Sequence, residues 1–339
     1  MCLLQGWRIL AYTLGKLTFG ENMKAVVIER FGGSEVMELV EQPTPSPGRD
    51  EVLVRVRAAS VNPVDIQTRR GDYQGLVALP ARLGVNCAGI IEEVGVDVHD
   101  LKVGDEVFYV PRLLENEGSY ATHHVERASI VAKKPTTLSF EEAATLPLSA
   151  VTAWECLVER GRLKAGDKVL VHGGAGGVGV YAIQIARFFG AHVVTTSGTQ
   201  NKDFVASLGA DVSYDYRSES LYEELRRDNP SGFDIILDTV GQKTIEKSLP
   251  LLATSGRLVS IVDMSEPQNL ISGWQVNAEL HFVFTTQSGT RLAELARVVD
   301  EGGLKPIVER VMKLSEIAAA HDLIEAGSRK GKIAITIDE

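Results

Sequence analysis

A glycine-rich stretch carries the clearest chemistry in this sequence. Gly174, Gly176 and Gly179 have the spacing G-x-G-x-x-G. That spacing allows a tight turn and brings free backbone amide groups close to a bound phosphate. The apolar run 169–172 predicts a buried strand before the glycines, and the run 181–189 after them has helical spacing. In this context the motif binds the pyrophosphate of a dinucleotide; the alternative is a glycine turn without a ligand. The predicted contacts are Gly174, Ala175, Gly176, Gly177, Val178 and Gly179.

The end of the next predicted strand, 192–196, indicates which dinucleotide is bound. Enzymes that use NAD usually carry Asp or Glu about 20 residues past the glycines, where it binds the ribose hydroxyls. Here Ser197 and Gly198 occupy that place, and Lys202 follows. A hydroxyl and an ammonium group can bind a 2′-phosphate that a carboxylate would repel. We therefore predict NADP(H), bound by Ser197, Gly198 and Lys202. The alternative is that Ser197 is a plain loop hydroxyl and Lys202 a solvated side chain.

Composition limits the class of protein. A chain of 339 residues is long enough for about two domains with real cores, and 44% hydrophobic with 24% charged residues is ordinary for a globular protein. The net charge of -10 argues against a nucleic-acid partner. Cys2, Cys87 and Cys156 are too far apart for a disulfide framework or a zinc lobe, which fits a reducing cytoplasm.

The first 22 residues are set apart from the rest. They are mildly apolar, lack a positively charged start, are interrupted by Arg8 and are too short to span a bilayer. We interpret residues 1–22 as an N-terminal extension; a membrane-surface helix is the alternative. The run Met23–Ile28 then predicts the first strand of a domain.

Two patterns of secondary structure follow one another along the chain. Up to about residue 148, short alternating runs separated by turn formers predict a small β-barrel or sandwich. Afterwards strands alternate with helical runs, which predicts a parallel sheet, and the chain closes with a helix and a terminal strand. The predicted strands are 52–58, 88–94, 169–172, 192–196, 234–238, 256–262 and 332–337, and the last helix is 291–301.

This order of elements resembles the medium-chain dehydrogenase/reductase superfamily over residues 23–339. Within that superfamily the chain is similar to the zinc-free NADPH:quinone oxidoreductase branch, with enoyl thioester reductases as neighbours. The resemblance implies a GroES-like β-barrel substrate domain (23–148, completed by 288–339) and a Rossmann-type NADP-binding domain (149–287). Besides the glycine loop, the motifs that carry it are Val61-Asn-Pro-Val-Asp65, Gly104-Asp105 with Val107-Phe108, Gly118-Ser-Tyr-Ala121, Leu146-Pro147, Thr152-Ala-Trp154 and Leu208-Gly-Ala-Asp211.

The residues do not favour a catalytic zinc ion. Asn62 and the pair Asn86-Cys87 stand where zinc-dependent members carry a cysteine ligand and a His-Glu pair. Catalytic zinc needs about three protein ligands. His123 and His124 are adjacent on a predicted strand, so their side chains face opposite ways. We therefore expect that the protein binds no metal. We also expect that it donates hydride to an electron-poor carbon and does not use zinc-activated alcohol chemistry.

The resemblance also implies roles for individual residues. It places Asn62 beside the nicotinamide and Tyr73 near the substrate carbonyl, where a phenol could donate to a developing enolate. Tyr73 could instead be a loop tyrosine that covers the barrel edge. Gln67 stands where quinone reductases often carry another tyrosine. The further implied cofactor contacts are Thr152 at the start of a helix facing the nicotinamide, Tyr216 near the adenosine phosphate, Val240 and Val262 at the ends of the fourth and fifth strands, Phe284 and Thr285 at the carboxamide, and Lys332 towards the cofactor.

Together these features predict an enzyme that reduces a small quinone or an α,β-unsaturated carbonyl or enoyl compound with NADPH. The alternatives are a zinc-independent alcohol dehydrogenase-like enzyme and a non-catalytic NADPH-binding protein. We expect no nucleic-acid or membrane partner. We also expect a homodimer, because the run 280–286 predicts an apolar edge strand, the region that family members pair across a two-fold axis.

Overall fold

Two large β-sheets and a small third one organise the chain. The computed structural model describes residues 22–241, 243–262, 271, 273–327 and 330–337. The predicted N-terminal extension, apart from Asn22, lies outside the described residues.

The N-terminal half consists of short antiparallel strands, as predicted. Strand β1 pairs with β2 and β4, and the long strand β3 pairs with both β5 and β7. Buried valines of β3, such as Val52, Val54 and Val56, form the centre of the barrel core. The bounds are β1 Asn22–Ile28, β2 Met37–Pro43, β3 Glu51–Ser60, β4 Ala81–Arg82, β5 Cys87–Val94, β6 Glu106–Tyr109, β7 His123–Arg127 and β8 Val131–Lys133.

A six-stranded, fully parallel sheet follows, which confirms the predicted Rossmann-type domain. Its order is β11-β10-β9-β12-β13-β14, with β9 near the centre and β14 at the edge. Val169, Leu170 and Val171 of β9 are completely buried because helices cover both faces. The bounds are β9 Lys168–His172, β10 His192–Ser197, β11 Val212–Asp215, β12 Phe233–Asp238, β13 Leu252–Ser260 and β14 Glu279–Phe282.

The predicted strands 256–262 and 280–286 extend two and four residues past the observed ones, whereas the predicted strand 234–238 ends where β12 does. β12 and β13 end at Asp238 and Ser260, so Val240 and Val262 each lie two residues beyond the strand. The edge strand β14 ends at Phe282 and leaves Phe284 and Thr285 outside it. Apolar residues continue past β13 at Ile261 and Val262 and past β14 at Val283 and Phe284, so hydrophobicity alone overestimated these two strands.

The chain then returns to the first domain. Strands β15 (Val308–Lys313) and β16 (Lys332–Thr336) pair in parallel, and β16 lies antiparallel to β3. The amide of Val61 donates to Ile333 O at 3.2 Å, so the beginning of β16 lies beside the end of β3. This return places Lys332 next to the residues that follow β3. The domain limits 23–148, 149–287 and 288–339 stay a prediction.

Helices connect these strands and cover the sheets. A π-helical turn, Glu155–Arg160, extends helix α3. Within the described ranges no helix combines the length and apolarity needed to cross a bilayer. The helix bounds are α1 Pro63–Arg70, α2 Phe140–Ala144, α3 Pro147–Trp154, α4 Gly179–Phe188, α5 Lys202–Ser207, α6 Leu221–Asp228, α7 Thr244–Ser248, α8 Gly289–Asp300 and α9 Ile317–Glu325.

Candidate active site

A cavity of about 580 Å³ lies where the glycine loop meets the barrel domain. It brings together a large part of the residues singled out from the sequence. Those that line it are Asn62, Tyr73, Thr152, Gly176, Gly177, Val178, Val262, Phe284, Thr285 and Lys332. Gly174, Ala175, Gly179, Ser197, Gly198, Lys202, Tyr216 and Val240 are not part of its wall.

The glycine loop has the geometry that the motif predicts. Gly174 has no room for a side chain, because a Cβ there would lie 2.0 Å from the buried Thr195 Oγ1; at Gly179 it would lie 2.2 Å from Gly173 O. Gly173, which the sequence motif did not single out, has φ +77° and opens the turn. At Gly177 the nearest atom would be Lys332 Cδ, at 3.5 Å. The loop is therefore closed on its packing side and open on its cavity side.

Backbone donors of this loop point to an anion. Within the described part of the chain, no hydrogen bond engages the amide groups of Ala175, Gly177 and Val178. Helix α4 begins directly behind them, and the N-terminus of a helix favours negative charge. The loop thus fits a pyrophosphate group.

The far end of the cofactor path lies at the carboxyl ends of β10 and β11. Ser197 is buried there, and its hydroxyl lies 2.9 Å from Ser213 Oγ. Lys202 begins helix α5 and is exposed, as is Tyr216 just after β11. The guanidinium of Arg217 stacks over the Tyr216 ring at 5.1 Å. Sequence reasoning missed Arg217, although it directly follows the tyrosine that was singled out.

Threonine hydroxyls join helix α3 to the segment after β14. Thr152 Oγ1 donates to Leu148 O at 2.7 Å and lies 2.6 Å from Thr285 Oγ1. Thr152 is in the second turn of α3, so its predicted place at the helix start was wrong. The two threonines bring Phe284, which is more than half exposed, to the mouth of the cavity. Val240 is also exposed, and its neighbour Thr239 lines the cavity instead.

Asn62 and Lys332 form the polar floor of the cavity. Asn62 is buried and donates from Nδ2 to Ser60 O at 3.3 Å. The buried Lys332 Nζ donates a short hydrogen bond to Asn62 Oδ1. Because the Asn62 amide is engaged at both ends, its orientation is fixed, and with it the position of the ammonium group.

A buried carboxylate supports this floor. Asp65 accepts hydrogen bonds from the amides of Asn62, at 2.8 Å, and Gly84, at 3.0 Å. Burial raises the pKa of Asp65 to about 6, although these amides, Lys332 and Tyr120 oppose the shift. Burial lowers the pKa of Lys332 to about 8, and the charge of Asp65 opposes that shift. Asp65 belongs to the quoted Asn-Pro-Val-Asp motif, but its role depends on tertiary contacts that the motif does not reveal.

Tyr73 lies at the side of the cavity. The turn at Gly71, where φ is +93°, ends helix α1 and leads the chain to Tyr73. Its hydroxyl donates to Gln67 Oε1 at 3.3 Å, and both residues line the cavity. Partial burial raises the pKa of Tyr73, so the phenol keeps its proton at neutral pH. It can therefore serve as a neutral hydrogen-bond donor.

The side chains that stand where zinc ligands would be needed make other interactions. Asn86 donates to Ser60 Oγ at 2.7 Å and accepts from the Leu148 amide at 2.8 Å. Burial raises the pKa of the Cys87 thiol to about 12, which disfavours the thiolate that a metal needs. His124 is buried against Tyr109 and Glu117 O, whereas His123 pairs with Glu92, so the two histidines do face opposite ways. No group of three metal-ligating side chains occurs among the described residues.

Fold and site together define a two-domain, dinucleotide-dependent dehydrogenase or reductase. Comparison with known proteins agrees. Residues 48–152 match the family model of the alcohol dehydrogenase GroES-like domain, and residues 208–335 match that of the zinc-binding dehydrogenases.

Individual relatives narrow the class. The chain is 30% identical to a quinone oxidoreductase of Sus scrofa, covering 93% of this chain and 98% of that protein. It is 33% identical to an NADPH-dependent alkenal/one oxidoreductase, chloroplastic, of Arabidopsis thaliana, covering 93% and 80%. The structure of Escherichia coli quinone oxidoreductase complexed with NADPH superposes with a TM-score of 0.84 at 28% identity, covering 92% and 99%. The chain belongs to the medium-chain dehydrogenase/reductase family, in its zinc-independent, quinone oxidoreductase-like branch, and is an oxidoreductase.

We predict that the protein holds no stoichiometric zinc, because the candidate positions offer amides and a high-pKa thiol instead of ligands. Elemental analysis of protein purified without added metal should find far less than one zinc per chain. A zinc enzyme carried through the same purification is the control. One tightly held zinc per chain, together with activity lost on chelation, would contradict the prediction.

Proposed function

We propose that this protein transfers hydride from NADPH to a quinone or to an α,β-unsaturated carbonyl compound, without zinc. The carrying observation is the cavity itself, which joins the open side of the glycine loop to Asn62, Tyr73 and Lys332. The names of the relatives, quinone oxidoreductase and alkenal/one oxidoreductase, support these substrate classes. NADPH supplies the hydride when bound; the chain supplies binding, orientation and proton donors.

Positively charged side chains and hydrogen-bond donors lie along the proposed cofactor path, where they suit an anionic dinucleotide. The unengaged amides of the loop suit the pyrophosphate. Lys202, after β10, and Arg217, which stacks on Tyr216 after β11, suit a 2′-phosphate at the ends of these strands. No Asp or Glu takes the place of Ser197, where an NAD-dependent enzyme would normally carry one. These features support NADP(H) as the cofactor.

The barrel side of the cavity suits a substrate that gains negative charge. Hydride addition to an enone or a quinone builds charge on oxygen, and donors placed at that oxygen stabilise the transition state more than the ground state. Tyr73 offers a neutral phenol, whose single O–H donates to Gln67 in this structure and would turn from Gln67 to a substrate oxygen. The remaining wall is largely apolar, with Val61, Leu113, Val283 and Ile324. An apolar wall with few donors suits a small unsaturated carbonyl compound.

The proposed function predicts consumption of NADPH with enones, alkenals or quinones, and much slower consumption of NADH. The test measures NADPH and NADH consumption with a panel of these acceptors. A parallel assay with secondary alcohols and NADP⁺ tests the alternative, an alcohol dehydrogenase. NADPH binding without turnover on any acceptor would contradict the proposed function. Equal affinity for NADPH and NADH would contradict the cofactor choice.

Charge-removing variants form the controls for that panel. Lys202→Ala and Arg217→Ala should each weaken NADPH binding about tenfold, or roughly 1.5 kcal/mol, and leave NADH binding unchanged. Arg226→Ala, on the exposed last turn of α6, removes one positive charge away from the cofactor path and should change neither affinity.

Tyr73→Phe should lower kcat on an enone about 10²-fold, because it removes a donor that acts on developing charge. NADPH affinity should barely change, since Tyr73 lies on the substrate side. Gln67→Leu, which removes the acceptor of the phenol, keeps the site uncharged and leaves the phenol itself, is the companion variant and should retain most of the activity. If Tyr73→Phe turns over enones as fast as the parent, the phenol is only part of the cavity wall.

We further propose a cytoplasmic homodimer that pairs two copies along strand β14. Among the residues that the structure describes, this strand pairs with β13 alone; Phe282 at its end is exposed at 51%, and Trp274, which precedes the strand in the chain, at 77%. An unpaired apolar edge is an aggregation hazard unless a second chain covers it. The free thiols of Cys87 and Cys156, both buried, suit a reducing compartment.

Light scattering at micromolar concentration should give twice the mass of one chain. Phe282→Lys should shift the mass to that of a monomer. Val311→Lys is the matched control: Val311 is equally exposed, at 51%, on the edge strand β15 of the other sheet. A monomeric parent protein, or dissociation by both variants, would rule out the proposed interface.

A further inference from the structure

We propose that Lys332, held in place by Asn62, supplies the proton that completes the reduction, and that the nearby buried carboxylate of Asp65 keeps its ammonium group charged. This inference deepens the proposed function and rests on it. It differs from the sequence-based expectation that Lys332 only contacts the cofactor.

The position of Lys332 carries the inference. Only 3% of the residue is exposed, yet it lines the cavity. Its stem passes the open face of Gly177, and its Nζ donates to Asn62 Oδ1. An ammonium group has three N–H donors, so one hydrogen bond to Asn62 leaves others for a ligand. The group is thus fixed at the floor of the cavity, between the glycine loop and the barrel.

A chain of hydrogen bonds with a defined direction leads from Arg69 to Asp65 and stabilises the charged form of that carboxylate. Arg69 can only donate, so Nδ1 of His321, 3.4 Å from Arg69 Nη1, is the acceptor. The proton of neutral His321 is then on Nε2, which faces the Tyr120 hydroxyl at 3.3 Å. Tyr120 in turn donates to Asp65. Glu325 anchors the outer end of the chain, with 2.7 Å between its carboxylate and Arg69.

The protonation states of these groups fit a proton donor at neutral pH. The pKa of Asp65 is about 6 and that of Lys332 about 8, so both are charged between these values. His321 has its pKa lowered to about 3 by burial and by Arg69, and Tyr120 has its pKa raised well above 10 by burial. Neither titrates in that window. An acid whose pKa is close to the working pH transfers its proton efficiently.

The proton step balances as follows. NADPH, when bound, would supply hydride, with its electron pair, to the β-carbon of the substrate and would be oxidised to NADP⁺. The π electrons of the C=C bond move to the carbonyl, and the enolate is stabilised by the Tyr73 phenol. The N–H bond of Lys332 then breaks, its proton forms the C–H bond at the α-carbon, and the neutral amine regains a proton from water. In a quinone the proton goes to the hydroquinone oxygen.

The first experiment compares Lys332→Met with the parent, using an enone in D₂O. We expect kcat to fall about 10²-fold or more while the Kd for NADPH changes less than threefold. The parent should place deuterium on one face of the α-carbon; the variant should lose that stereoselectivity, because solvent protonates the enolate. Lys134→Met is the matched control: Lys134 is also buried, but bonds to Pro135 O and Leu138 O away from the cavity.

The pH dependence gives a second readout. In the parent, kcat/KM should fall as the pH rises through about 8, because Lys332 loses its proton. Lys332→Arg should remove this limb and most of the activity, since a guanidinium does not release its proton. Asp65→Asn should move the limb to lower pH, because the carboxylate raises the pKa of Lys332. Should Asp65→Asn not fold, Tyr120→Phe is the second variant: it removes a donor that lowers the pKa of Asp65, so that pKa, about 6 in the parent, should rise, and any loss of kcat/KM that follows protonation of Asp65 should begin at higher pH.

A third readout does not depend on turnover. In protein labelled with ¹³C-lysine, the Lys332 Cε signal, assigned by its absence from Lys332→Met, should titrate near pH 8 and at lower pH in Asp65→Asn. A normal lysine titration, an unchanged kcat in Lys332→Met, or a fall in NADPH affinity as large as the fall in kcat would overturn the inference. A parent protein that turns over no acceptor would instead show that the proposed function has failed.

Discussion

The buried carboxylate of Asp65 is the constraint on which the active site depends. It accepts the amide at the start of helix α1 and the amide of Gly84, and it attracts the ammonium of Lys332 at the start of β16. Three segments far apart in the chain therefore meet at one charge. A buried charge without partners is costly, so these amides and the nearby ammonium group offset the desolvation of Asp65. The need to satisfy Asp65 thus fixes where Asn62 and Lys332 lie.

An ion pair fixes the position of the other wall of the cavity. Glu155, in the π-helical turn after α3, lies 3.2 Å from Arg291 of α8 and accepts the amide of Thr286 at 3.3 Å. Arg291 also donates to Thr286 O at 2.8 Å. The segment that carries Phe284 and Thr285 is therefore anchored at Thr286. The contact between the hydroxyls of Thr152 and Thr285 anchors it to helix α3 as well. Without these anchors the segment would leave the sheet after the short strand β14 with no fixed path.

The sequence was sufficient for features that depend on local pattern. The glycine spacing, the strand before it and the helix after it are all present, because a tight turn at Gly174 and Gly179 leaves room for no other residue type. The alternation of strands and helices likewise predicted the parallel sheet. The sequence failed on detail that depends on pairing: β13 ends two residues before Val262 and β14 ends before Phe284, since strand ends follow hydrogen-bonded partners and not apolar runs.

Contacts across the fold were beyond any local pattern. The hydrogen bond between Lys332 and Asn62 joins residues 270 positions apart, and it exists because β16 pairs with β3. Nothing in the run 332–337 distinguishes Lys332 from a solvated lysine at the start of a strand. Asp65 is equally ordinary in sequence, since an acidic residue in the first turn of a helix usually faces water. Burial gives both residues their chemistry, and burial is a property of the assembled domains.

Burial also explains how one chain uses the same kind of side chain for two tasks. A protein with a net charge of -10 attracts no anion through its overall charge, so positive groups must be placed locally. Lys202 and Arg217 are exposed at the outer end of the cofactor path, where water and salt screen their charges. Lys332 lies at the inner end, where desolvation brings its pKa to about 8. An exposed lysine can only attract a phosphate; one whose charge costs free energy to maintain can also give its proton away.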